Sequence, residues 1–87
     1  MVIQTEAFLL GSTSLHSNKS GKDFNKISFV IDGDFCAFFV PANVGATMMK
    51  SKHFAELAKT GAPQKCCATI ELKFTDKGVF TDLRNIE

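Results

Sequence analysis

Tryptophan and tyrosine are both absent from the 87 residues, so every aromatic contact falls to phenylalanine, of which there are nine. Proline occurs only twice, which excludes a Pro-rich linker or ligand segment. An excess of either charge is also missing. Ten Lys and Arg face nine Asp and Glu, a net charge of +1, so bulk charge does not announce a nucleic-acid binder and only local clustering of basic residues could make one. Cysteine is limited to Cys36, Cys66 and Cys67, odd in number and with two adjacent. No C-x-x-C or Cys/His spacing is present, which argues against a disulfide framework, a metal site and a redox motif. The three are read as reduced, mostly buried thiols in a reducing compartment. No stretch approaches the roughly 18 apolar residues of a membrane span. The opening MVIQTEAFLLG lacks the basic flank and cleavage site of a signal peptide, so the expectation is an intracellular protein with no membrane partner.

Catalytic arrangements are missing as well. There are no paired carboxylates, no nucleophile–base set and no phosphate-binding Gly loop, so neither enzyme nor cofactor nor metal site is expected. His16 and His53 sit in unlike contexts and read as surface or capping residues. Ser12, Ser14, Ser17 and Ser20 lie in a polar stretch without a nucleophile elbow.

What is present is a β pattern. The length suits one domain, residues 1–87, burying about 60–65% of its unfolded surface, so its core must be efficient or an oligomer interface must add to it. Val2 to Leu10 reads as a strand ending at Gly11, and Ser12 to Asp23 as a loop or irregular strand extension. Phe24 to Ile31 and Phe35 to Pro41 flank Asp32-Gly33, among the strongest short hairpin signals. Thr47 to Thr60 changes to a helical period, with Met49, Phe54, Leu57 and Ala58 on one face. Thr47 or Ser51 can cap its start, Gly61 can close it, and Pro63 blocks continuation. Lys65 to Phe74 alternates, with Cys66, Ala68, Ile70, Leu72 and Phe74 on one side; Val79 to Ile86 is the last strand. The order predicts a mostly β fold, a five-stranded OB-fold Greek-key barrel with one helix between strands 3 and 4. Closure would also manage the sheet edges of so short a chain.

With a two-residue loop at Asp32-Gly33, Val30 pairs with Phe35, Ser28 with Ala37, Lys26 with Phe39 and Phe24 with Pro41, all on one face. The opposite face holds Ile27, Phe29, Ile31, Cys36, Phe38 and Val40 and must be the core side. Aromatics beside Lys26 on the solvent side are costly unless something covers them. A single-stranded nucleic acid would do so, its bases stacking on rings and its phosphates meeting Lys and Arg. Lys19 and Lys22 lie beside this hairpin, and Lys73, Lys77 and Arg84 flank the last one. Alternatives stay open: Phe24, Phe35 and Phe39 could be covered by the loop, by the helix or by a second subunit. A three-residue loop would present Phe38 in place of Phe39.

The run SGKDFNKISFVIDGDFCAFFV resembles the second and third strands of the filamentous-phage gene V type of single-stranded DNA-binding protein. Gly21-Lys22, an aromatic at Phe24 and a hairpin of matching length carry the likeness. The run ELKFTDKGVFTDLRNI resembles the same family's closing hairpin, with Gly78, Phe80, Leu83 and Arg84 in comparable places. The likeness covers about half the chain. The family often stacks with Tyr, where this chain has only Phe, and has a β-loop in place of Thr47 to Thr60, a segment more like that of bacterial or plasmid OB-fold single-strand-binding proteins. The resemblance implies an OB-fold homodimer that coats replicating single strands in the cytoplasm of a bacterial host. It implies contacts from Lys22, Phe24 and Lys26, then Phe39, Phe80 and Arg84. The expected site is therefore Lys19, Lys22, Phe24, Lys26, Phe39, Lys73, Lys77, Phe80 and Arg84. The partner is single-stranded DNA or RNA; a protein-interaction module using the Phe-rich face is the competing reading.

Overall fold

The computed structural model describes all 87 residues. Five antiparallel strands, β1 (Val2–His16), β2 (Asp23–Ile31), β3 (Asp34–Pro41), β4 (Gln64–Thr75) and β5 (Gly78–Ile86), form one curled sheet in the order β3-β2-β1-β4-β5. Curling brings β3 alongside β5 without a hydrogen-bonded ladder between them, so the sheet is a half-barrel with one open seam. Two helices, α1 (Ala42–Met48) and α2 (Lys52–Thr60), lie between β3 and β4 in the chain.

The β2–β3 hairpin has the expected register throughout, from Val30 opposite Phe35 to Phe24 opposite Pro41. Its cause is local. Asp32 and Gly33 both take positive φ, 53° and 82°, the pair of values a type I′ turn demands and whose twist matches that of the flanking strands. Ile27, Phe29, Phe38 and Val40 consequently point inward and are buried, while Ile31 and Cys36 pack at the edge of the same core. Phe29 and Phe38 meet edge to face with centroids 5.9 Å apart, worth about 0.5–1.5 kcal/mol beyond area burial. Ala7 and Leu9 from β1, Cys66, Ala68 and Ile70 from β4, and Leu83 and Ile86 from β5 complete the interior.

Three features differ from the expectation. First, β1 does not stop at Gly11: of the two readings left open for Ser12 to Asp23, the irregular strand extension holds as far as His16, because a bulge between Leu9 and Gly11 lets Ser12 to His16 continue pairing with Asp23 to Ile27. Second, the helical stretch begins earlier and is broken. Pro41, with φ locked near −57°, opens α1; Met49 to Ser51 turn; Ser51 is extended and precedes α2. Packing explains the break. Met48 is buried, and Phe54 and Leu57 pack on the core, yet on one continuous helix Met48 and Phe54 would lie about 120° apart. Met49 and Ala58, expected on the apolar face, are exposed. Gly61 closes α2 in the left-handed conformation as expected, whereas Ser51 makes no side-chain cap bond. Third, Leu72 is only partly buried and Phe74 is exposed, since the β4–β5 hairpin extends past the half-barrel. Of the cysteines, all free, Cys66 is buried and Cys36 and Cys67 are half-buried.

One polar side chain lies inside. Asn25 is buried on the inner face of β2, its amide nitrogen 3.5 Å from the Ser14 hydroxyl. Gly45 of α1 sits directly over it: a Cβ at Gly45 would overlap the Asn25 amide and lie 2.9 Å from the Asn25 Cβ. Close approach of α1 to β2 thus requires glycine at this position. Gly45→Ala is expected to destabilise the fold by about 1–3 kcal/mol through overpacking. At about 4–8 °C per kcal/mol for a domain this small, thermal unfolding would show the loss clearly. Adding Asn25→Ala should restore part of it.

Candidate nucleic-acid interface

The outer face of the sheet forms rows that run across strands. One row is Pro41, Phe24 and Leu15; the next is Phe39, Lys26 and Thr13; then Ala37, Ser28 and Gly11; then Phe35, Val30, Phe8 and Lys65. Phe39 is 62% exposed and Phe35 is 64% exposed, while Phe24 and Lys26 are half-covered. The expected pairing of Phe39 with Lys26 on the solvent side is present, and the alternative with Phe38 outward is not: Phe38 is in the core.

Phe8 was not singled out from the sequence. It is 43% exposed and shares its row with Phe35. Its signal was the alternation around it, since Ala7 and Leu9 point inward on either side.

Lys22, Phe24 and Pro41 line a groove of about 670 Å3 at the β1–β2 end of this face. The connection holding Lys19 and Lys22 is tightened by backbone bonds from Ser17 N to Lys22 O (2.9 Å) and from Gly21 N to Ser17 O (2.8 Å). It is flanked by His16, whose Nδ1 lies 2.7 Å from a carboxylate oxygen of Asp23. Lys19, Lys22, Lys26 and Lys77 make no ion pair within the chain.

Lys73 and Arg84 are in a different state. Lys73 Nζ is 2.9 Å from Asp82 and 3.9 Å from Glu71, and Arg84 binds Glu71 through Nε and Nη2 and approaches Asp82 at 3.8 Å. The basic stripe expected at the last hairpin is therefore neutralised here, two cations against two carboxylates. Cross-strand pairing is the cause: Glu71 stands opposite Asp82, and Lys73 opposite Phe80. The Arg84 guanidinium holds Glu71 below the ordinary carboxylate range, and Lys73 does the same for Asp82. Phe80 is 53% exposed on this face.

Phe39 shares a groove with three of these four residues across the seam. Phe39, Pro41, Val44, Lys73, Asp82 and Arg84 line a groove of about 280 Å3 between β3 and β5. The expected residues thus fall into three neighbouring places: Lys19, Lys22 and Phe24 at the β1–β2 end; Lys26 and Phe39 on the β2–β3 face; and Lys73, Phe80 and Arg84 on β4–β5, with Lys77 at that hairpin's tip. No three His, Cys, Asp or Glu side chains converge as a metal site. Burial pushes the Cys66 thiol up, away from the reactive thiolate. No helix is long and apolar enough to cross a membrane. No family model, curated protein or solved structure matches the chain.

The quartet makes stability depend on acid. Both carboxylates are depressed in the folded state, so their contribution is fully present above their ordinary values, 4.5 for Glu71 and 3.8 for Asp82, and is lost as pH falls through the lower folded ones. Denaturant unfolding at about pH 7 and about pH 3 should show this loss as a small one, because the pairs are exposed. Glu71→Gln should make the difference between the two smaller; an unchanged difference would mean the pairs contribute nothing.

Proposed function

We propose that the chain is a single-stranded DNA-binding protein of OB-fold type, which coats the strand without strong sequence preference and does no chemistry. The observation that carries this reading is Phe39, 62% exposed and directly opposite Lys26 in the outer row. An aromatic ring left in water next to a cation suits a base stacked on the ring and a phosphate on the amine. The strand order β3-β2-β1-β4-β5 is compatible with an OB-fold, and that fold binds oligonucleotides on strands 2–3 and on the loops joining strands 1–2 and 4–5. Lys19 and Lys22 occupy the first of those loops and Lys77 the last. Phe24, Phe35 and Phe8 extend the stacking surface on either side of Lys26. Lys73 and Arg84 join it as cations already oriented by carboxylates. The likeness to the gene V type supports a phage or plasmid role in replication, in the bacterial cytoplasm.

Stacking accounts for affinity but not for the choice of sugar, which needs a contact to the 2′-hydroxyl. Titrating a fluorescent oligo-dT and its oligo-U counterpart at low and high salt measures both. Phe39→Ala should weaken binding by about 1–3 kcal/mol. Lys22→Glu with Lys26→Glu should abolish it while leaving the fold intact. Absence of binding at low salt, where phosphate attraction is strongest, would end this reading.

A homodimer is part of the proposal on a separate observation. The inward side of the β4–β5 hairpin continues past the half-barrel and leaves Phe74 67% and Val79 58% exposed, an apolar patch that a second copy would cover. Sedimentation velocity should show a dimer that Phe74→Lys converts to monomer; a monomeric parent chain would refute it.

A further inference from the structure

Arg84 and Val44 line two grooves at once. One is the seam groove beside Phe39. The other is a cleft of about 490 Å3 between α1, the α1–α2 link and the end of β5. Six of its lining residues are polar: Asn43, Thr47, Lys50, Ser51, Arg84 and Asn85. None of its lining residues is acidic. Lys50 has no ion-pair partner in the chain. The guanidinium of Arg84 is fixed by Glu71 through Nε and Nη2, which leaves Nη1 without a protein partner. The Ser51 hydroxyl is shielded from solvent and also unpartnered.

We propose that this cleft is a phosphate subsite, taking one backbone phosphate of the strand stacked on Phe39 between Lys50 and Arg84. The inference rests on the single-strand reading above and extends the path from the sheet face, over the β3–β5 seam, onto α1. The unpaired Lys50 supplies net positive charge to the cleft, and Arg84, whose charge is balanced by Glu71 and Asp82 outside the walls, supplies an oriented donor edge; together they favour an anion. The neutral amide of Asn43 adds a donor without adding charge, while one hydrogen of the Asn85 amide is already committed to Glu87 Oε1 at 3.0 Å. A guanidinium already held in place by a carboxylate loses little freedom on meeting a phosphate oxygen with its remaining edge. Val44, shared by both grooves, offers an apolar bridge for the sugar between the stacked base and the phosphate.

Oligo-dT binding as a function of salt tests this, because each phosphate neutralised on a single strand contributes about 0.7 to the slope of log affinity against log salt. Lys50→Ala should lower the slope by about that amount and weaken low-salt binding roughly tenfold or less. Lys59→Ala, on exposed α2 outside the cleft, should do neither. In a parallel arm, inorganic phosphate and then oligo-dT are titrated against the amide spectrum, and the strand should move Lys50, Ser51 and Arg84. If free phosphate moves these amides and the strand does not, the cleft takes a free anion and the strand subsite is wrong. If the strand binds and the Lys50 and Lys59 variants behave alike, the subsite is wrong while the stacking face stands. If the unaltered protein binds no strand, both readings fall.

Discussion

Positive φ at both Asp32 and Gly33 sets which side of β2 and β3 faces water. A loop longer by one residue would reverse every side chain of one strand relative to the other. Phe39 would then enter the core and Phe38 would leave it, and the edge-to-face contact of Phe38 with Phe29 would be lost. The turn thus governs both halves of the molecule. Inward, it supplies Ile27, Phe29, Phe38 and Val40 to the core. Outward, it stations Phe39 against Lys26 and Phe35 against Val30. A small domain has few ways to afford exposed rings, and this one displays them on strands whose opposite faces are its best-packed surface.

The second organising principle is counter-charge. Lys73 and Arg84 share an outer surface with Glu71 and Asp82, so the last hairpin is locally neutral although it is rich in ions. Such exposed pairs add little to stability. Their larger consequence is geometric: a guanidinium gripped on one edge points its free edge in a fixed direction. Of the seven lysines without an ion pair, Lys19, Lys22, Lys26, Lys50 and Lys77 border the candidate surface with ammonium groups that no carboxylate orients. An anionic polymer crossing this surface would meet two kinds of cation, unpaired lysines along the sheet face and an oriented arginine at the seam.

Legibility in the sequence followed the range of the interactions. The β2–β3 register was readable to the residue because a two-residue turn and strict alternation decide it. The alternation of Cys66, Ala68 and Ile70 was equally plain, and their burial follows it. The end of β1 was only half readable: composition left Ser12 to His16 as loop or irregular strand extension, and pairing with Asp23 to Ile27 decides for strand. The helical break was hidden for a similar reason, since the periodicity of Thr47 to Thr60 cannot show that Met48 and Phe54 must reach different parts of the core. Of the site, Phe39 and Lys26 followed from the turn. The outward side of Phe8 was present in the alternation, but its place in the row of Phe35 required knowing which strand lies next to β2, and the Lys73–Asp82 and Arg84–Glu71 pairs required the register of β4 against β5.

The open seam connects these observations. A sheet of five strands that curls without a ladder between β3 and β5 leaves two edges facing each other, and unpaired edges invite pairing with other chains. Here the edges are shielded by side chains in place of hydrogen bonds. Phe39, Pro41 and Val44 stand on one side, and Lys73, Asp82 and Arg84 on the other, with α1 closing the end. A ladder across the seam would draw the strands to about 4.8 Å and leave less room for a groove. The lack of one gives up some backbone pairing and leaves a cleft bordered by an aromatic ring and an oriented guanidinium. On this view the incomplete closure of the sheet and the position of the candidate site share one cause.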